Sequence, residues 1–115
     1  MKLFHGRRSA SGVEVTVDGV PLDAHLNLRD FHAGGFEWGY EGSGPSQLAL
    51  AILAEHAGAQ AALQGYRSFV RQVIAELDGD EWCLSGDDID QRLSHTVEVP
   101  MDLDTLLRKV RGETE

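Results

Sequence analysis

The run Gly34-Gly35-Phe36-Glu37-Trp38-Gly39-Tyr40-Glu41-Gly42-Ser43-Gly44-Pro45 leads directly into the apolar stretch from Gln47 to Leu53, and this junction constrains the fold more than any other part of the chain. Phe36, Trp38 and Tyr40 alternate with Glu37, Gly39 and Glu41, so an extended backbone sets the rings on one face and the carboxylates on the other. The alternation predicts a half-buried strand over residues 36–40. The glycines then allow a tight turn, and the pattern places Pro45 at the first helical position, where its missing N–H costs nothing, with Ser43 or Gly44 as the cap. Leu48, Ala49, Ala51, Ile52 and Leu53 leave little polar surface, which predicts a helix over residues 45–57 at the centre of the core. A strand, a turn and a helix follow from these residues, but no reaction does.

On the N-terminal side, Val13, Val15 and Val17 alternate with Glu14 and Thr16, and Asp18-Gly19 before Val20-Pro21-Leu22 reads as a hairpin with a short return. Pro21 sends that return to a sheet edge. Residues 2–7 add a strand before the hairpin, and residues 23–35 read equally as a structured loop or a strand. Downstream, Leu63, Tyr66, Val70, Val73, Ile74 and Leu77 recur at helical spacing, predicting a second helix over residues 59–77 that is separated from the first near Gly58. Residues 81–84 read as a short strand or an extended connector. Ser85 with Asp88 three positions on resembles a capping box, and a short helix follows through Leu93. Residues 97–111 read as an extended bridge and a short amphipathic helix. The predicted fold is α+β: a small antiparallel sheet packed on two main helices, with short C-terminal helices.

The length of 115 residues suits one domain, and 42% apolar residues suffice for a core, which disfavours disorder. No apolar run approaches the roughly 18 residues of a membrane helix, and residues 1–8 lack a signal-peptide core, so no membrane association is expected and the cytoplasm is the expected compartment. Cys83 is the single cysteine, and its neighbours Trp82 and Leu84 predict a small core residue. The net charge of −9 is uneven: from Glu76 to Asp104 there are ten carboxylates and one base, Arg92. Such a field repels a phosphate backbone and attracts cations, so direct nucleic-acid binding is disfavoured and a basic protein is the expected partner.

The string GFEWGYEGSGPSQLALAIL, from Gly35 to Leu53, resembles the core of a small uncharacterised bacterial family with the pattern GFEWGY-x-GSGP-x-QLALAIL. The VTVDGVPLD hairpin, the Tyr66-Arg67-Ser68-Phe69-Val70 helix and the Trp82 segment extend the resemblance over about residues 2–93. The resemblance marks residues 1–93, read above as α+β, as one domain; residues 94–115 lie beyond it and read, from their pattern alone, as a C-terminal extension of the same domain. It also implies cargo of bacterial chromosomes and mobile elements, which leaves an accessory or anti-defence role open, and it brings no assigned catalytic residue.

The glycine loop resembles an anion cradle at a helix start. Its spacing fits neither a Walker loop nor a dinucleotide fingerprint, no lysine follows, and Glu37 and Glu41 oppose phosphate. An aromatic row of this kind serves as a stacking platform only inside a basic groove. His5, His25, His32, His56 and His95 lack the spacing of a zinc site, and the clusters around Asp78 and Asp87 lack the order of a calcium loop. No cofactor, metal or catalytic set is expected. The leading reading is a non-enzymatic protein-interaction module, in its sharpest form an inhibitor that mimics nucleic-acid charge. Its partner-binding residues are Asp78, Asp80, Glu81, Asp87, Asp88 and Asp90. The rival reading is a small ligand-binding domain or enzyme that uses Glu37, Glu41 and His32 near the glycine turn.

Overall fold

The structure is a computed structural model that describes residues 2–97, and in it Asp18 and Gly19 both take positive φ, 52° and 84°, as a type I′ hairpin turn requires. The turn joins β2 (Gly12–Val17) to β3 (Val20–Pro21). The other edge of β2 pairs antiparallel with β1 (Leu3–Ser9), whose far side takes β4 (Glu81–Ser85), also antiparallel. The sheet therefore has four strands in the order β3-β2-β1-β4, with Pro21 on an edge as its missing N–H demands.

One face of this sheet is buried and the other is wet. Phe4, Gly6, Val15, Trp82 and Leu84 point into the core, while Leu3, Arg7, Glu14, Glu81 and Cys83 are exposed. Gly6 lies opposite Trp82, and a Cβ added there would overlap the indole ring. Glycine at this position is the socket for the tryptophan. Gly6→Ala is expected to lower stability by about 1–3 kcal/mol, as overpacked core sites do; an unchanged denaturation midpoint would show that the indole is not seated on Gly6.

The helices α1 (Ser43–Ala57) and α2 (Ala59–Gln72) are joined by Gly58 alone, which turns the chain at φ 99°. Every residue of α1 from Gln47 to Leu53 is buried, the pattern of a helix enclosed on all sides. Helix α2 is amphipathic and buries Ala62, Tyr66, Phe69 and Val70. One contiguous core unites Phe4, Val15, Trp82 and Leu84 of the sheet with Leu48 and Ile52 of α1 and Phe69 of α2. Helix α3 (Gly86–Val97) follows β4 directly. The α+β architecture is thus the one predicted.

Several local expectations are corrected. Residues 36–40 form no strand: Trp38 is buried, Phe36 half-buried and Tyr40 51% exposed, so the three rings do not share a face. Gly39 takes φ 89° and breaks the extended run, and the edge of β1 is occupied by β4 instead. Residues 23–35 contain no strand and pass over the start of α1 as a loop. Helix α1 is capped by Gly42 without a side-chain bond, so Pro45 is its third residue, still among the positions whose N–H has no helical acceptor. Helix α2 stops at Gln72, where Val73 departs to φ −128°, and Ile74–Glu76 form a separate 3-10 turn. Cys83 is exposed, because strand alternation gives the core to its neighbours Trp82 and Leu84. Helix α3 continues past Leu93 to Val97. The predicted bridge and amphipathic helix over residues 97–111 lie outside the described residues, save for Val97 at the end of α3.

Candidate functional site

Strand β4 separates the six acidic residues singled out from the sequence into two groups. Asp78, Asp80 and Glu81 stand at its start, and Asp87, Asp88 and Asp90 on the first turns of α3 at its end, all exposed. The four steps from Glu81 to Ser85, at about 3.3 Å each, put roughly 13 Å of strand between the groups.

Their local roles differ. The guanidinium of Arg8 bridges Glu37 at 2.9 Å and Asp80 at 3.3 Å while lying 4.4 Å from the Trp38 ring centroid. Hydrogen bonding to Glu37 chiefly, opposed by partial desolvation and aided by Asp80, raises the Arg8 pKa. Glu81 is held by His5, and Asp90 by His56 at 2.6 Å. The carboxylates of Asp78 and Asp87 have no hydrogen bond or ion pair among the described residues, which leaves their charge to the solvent.

Asp88 and Ser85 form the reciprocal capping box. The Ser85 backbone N–H donates to Asp88 Oδ2 at 3.0 Å, and the Asp88 N–H donates to Ser85 Oγ at 3.1 Å. The bond from the Ser85 backbone, then the one from its hydroxyl, holds the Asp88 carboxyl below its ordinary range. A depressed folded-state pKa contributes stability above the unfolded value of about 3.9, and that contribution is lost as pH falls through the folded value. Asp88→Asn is therefore expected to flatten the acid response of α3 between about pH 5 and 2. Amide chemical shifts of α3 followed through the titration provide the test, and identical curves for the two proteins would refute the link.

Asp87 and Asp90 also line a cleft of about 490 Å³ together with Lys2, Asp18, His56 and Gly86. The cleft joins the start of β1, the hairpin turn, the end of α1 and the start of α3. The sequence hid this arrangement, since His56 and Asp90 are 34 positions apart. Among the described residues, no three His, Cys, Asp or Glu side chains converge as a metal site. His25 bonds Glu55 of α1 at 2.9 Å.

At the glycine turn, Gly39 gives its N–H to the Ile74 carbonyl at 3.0 Å, and Gly44 lies against Glu37, where a Cβ would meet the glutamate stem at 2.9 Å. These glycines serve backbone geometry and close packing. Glu37, Glu41 and His32 go to different places: Glu37 to Arg8, His32 beside Gly34, and Glu41 to the rim of a second cleft. That cleft, of about 210 Å³, also includes Gly42, Ser46, Val70, Arg67 and Arg71. No lysine directly follows the turn in the sequence; both arginines arrive from α2.

The model of a family described as a family of unknown function (DUF6166) matches residues 4–95, so the chain belongs to that family. No curated protein and no solved structure matches the chain. Among the described residues, no helix is long and apolar enough to cross a membrane.

Proposed function

We propose that this member of DUF6166 is a non-enzymatic interaction module whose acidic surface docks a basic protein, in the sharpest form as a mimic of nucleic-acid charge. The observation that carries this reading is the exposure of all six carboxylates, Asp78, Asp80, Glu81, Asp87, Asp88 and Asp90, around the two ends of one edge strand. A concentrated negative field of this kind accelerates encounter with a cationic surface and is screened over about 10 Å at 0.1 M salt. The resemblance to cargo of bacterial chromosomes and mobile elements agrees with an accessory role of this type.

Asp78 and Asp87 are the positions for the test, because Asp88 caps α3 and Asp90 holds His56, so replacing either of those would also disturb the fold. The double variant Asp78→Lys, Asp87→Lys is compared with the unmodified chain against the partner recovered at low salt and identified by mass spectrometry. The expected result is an unchanged melting temperature, capture reduced by about tenfold at low salt, and a shallower salt dependence. Equal capture across the salt series would reduce the acidic residues to a solvated surface and end this reading.

A second reading, ligand binding at the glycine turn, rests on the cleft that sets Arg67 and Arg71 beside Ser46 and the start of α1. Two guanidinium groups near a helix N-terminus suit a small anion. Stabilisation by phosphate or a nucleotide, lost in Arg67→Ala, Arg71→Ala, would favour it over the acidic surface.

A further inference from the structure

Among the described residues, the antiparallel ladder leaves one side of β4 open. Arg8 N–H donates to the Asp80 carbonyl at 2.7 Å and Gly86 N–H to the Lys2 carbonyl at 2.9 Å, bracketing a register in which Gly6 faces Trp82 and Phe4 faces Leu84. Bonded pairs alternate along such a ladder, so the even-numbered residues 80–86 turn their polar backbone toward β1. The odd-numbered residues Glu81, Cys83 and Ser85 turn theirs away. Ser85 confirms the direction, since its N–H is collected by the Asp88 carboxylate and not by β1. Glu81 and Cys83 have no further backbone partner among the described residues, and both are exposed. The opposite edge of the sheet is β3, two residues long and blunted by Pro21.

We propose that an extended, basic segment of a partner protein adds to the edge of β4 as a fifth strand, with its backbone bonding Glu81 and Cys83 and its flanking Lys or Arg residues meeting the two acidic groups. The proposal rests on the acidic-surface reading and specifies its partner: a short strand with cationic ends, not a basic surface of arbitrary shape. Open edges invite pairing, and proteins commonly discourage it with charge. The charge here selects as well as discourages. A second copy of the chain, paired antiparallel about Cys83, would bring the Asp80 and Glu81 end of one β4 against the Asp87 and Asp88 end of the other, acid on acid. A strand with basic ends meets attraction at both positions, and main-chain bonds supply the geometry.

The test uses the full chain and a synthetic peptide, Lys-Lys-Thr-Val-Thr-Val-Thr-Lys-Lys, beside the same peptide N-methylated at alternate central amides, which keeps the charge and removes the donors. The expected result is binding of the first peptide with slowed hydrogen exchange at the Glu81 and Cys83 amides, and at least about tenfold weaker binding of the methylated one. Cys83→Pro should weaken the first peptide similarly without loss of fold, because the Cys83 N–H is not part of the β1 ladder. If that variant misfolds, the methylated pair decides on the unmodified chain. Equal binding of the two peptides, with both weakened by Asp78→Lys, Asp87→Lys, would overturn strand addition and leave the acidic reading standing. Unequal binding that ignores the charge reversal would remove the acidic reading instead, and with it the basic partner proposed. Binding of neither peptide, or protection of the β4 amides by self-association of the chain alone, overturns strand addition.

Discussion

Trp38→Ala is expected to lower the free energy of unfolding by on the order of 3–5 kcal/mol, the range for large buried aromatics. Trp38 is 2% exposed and meets Trp82 edge-on, with ring centroids 5.6 Å apart and planes at 85°. Such pairs add about 0.5–1.5 kcal/mol beyond the area they bury. Its Nε1–H donates to the Gly79 carbonyl at 3.0 Å, which ties the aromatic loop to the turn before β4. The Arg8 guanidinium lies over its ring and holds Glu37 and Asp80. Truncation thus opens a void, takes from the Gly79 carbonyl the shorter of its two side-chain donors, the other being Arg8 at 3.4 Å, and removes the surface on which the Arg8 cluster rests. Trp38→Phe separates these effects, because it retains a ring for Trp82 and Arg8 and deletes only the N–H and part of the volume. A loss of about 1–2 kcal/mol is expected for it, close to the cost of one hydrogen bond with some underpacking. Urea denaturation of both variants gives the comparison, and a midpoint for Trp38→Ala equal to that of the unmodified chain would place the ring outside the core.

How much of this was readable in advance depends on the range of each interaction. The hairpin was legible because Asp18-Gly19 carries its own turn geometry, and the start of α3 because Ser85 and Asp88 complete each other's bonds three residues apart. Helices α1 and α2 were legible from their apolar spacing, and Gly58 from its place between them. The two tryptophan segments were not so easily told apart. Residues 36–40 and 81–85 both alternate, and only Gly6, far from both in sequence, has the empty inner face that accepts Trp82. Alternation therefore predicts a strand over residues 36–40, where none forms, as readily as over residues 81–84, where β4 does. The same limit applies to the sites: that six carboxylates would be exposed followed from their charge and turn context, whereas their division across β4 and the His56–Asp90 contact depend on chain paths that composition does not contain. Gln47 offered one unused signal, a lone amide at the head of an apolar helical run.

That amide carries the second large prediction, a loss of about 3–4 kcal/mol in Gln47→Leu. Gln47 is fully buried, and all of its main hydrogen-bonding capacity is spent on the backbone of residues 24–32. Nε2 donates to the carbonyls of Ala24 at 2.7 Å and Arg29 at 3.0 Å, and Oε1 accepts the N–H groups of Phe31 at 2.7 Å and His32 at 3.1 Å. A loop without regular structure has no ladder of its own, so these bonds do for it what a neighbouring strand does in a sheet. They also seat Phe31 on Tyr66 of α2, with ring centroids 4.7 Å apart. Leucine is of similar size and leaves four backbone groups unpaired at once, and the penalty is below the fully buried limit because the loop surface lets water reach some of them. Faster tryptic cleavage at Arg29 should accompany the lost stability. Gln47→Glu gives the sharper result, since an ionised carboxylate still accepts from Phe31 and His32 but faces the Ala24 and Arg29 carbonyls without a donor. Burial raises the folded-state pKa of that carboxyl above its unfolded value. The neutral form, which supplies a donor, therefore stabilises most at low pH, and the benefit is lost as pH rises through the folded pKa. Gln47→Glu should accordingly recover part of its stability between about pH 7 and 5 while Gln47→Leu does not. Parallel pH dependence of the two variants would mean that the amide fills space and does not hold the loop.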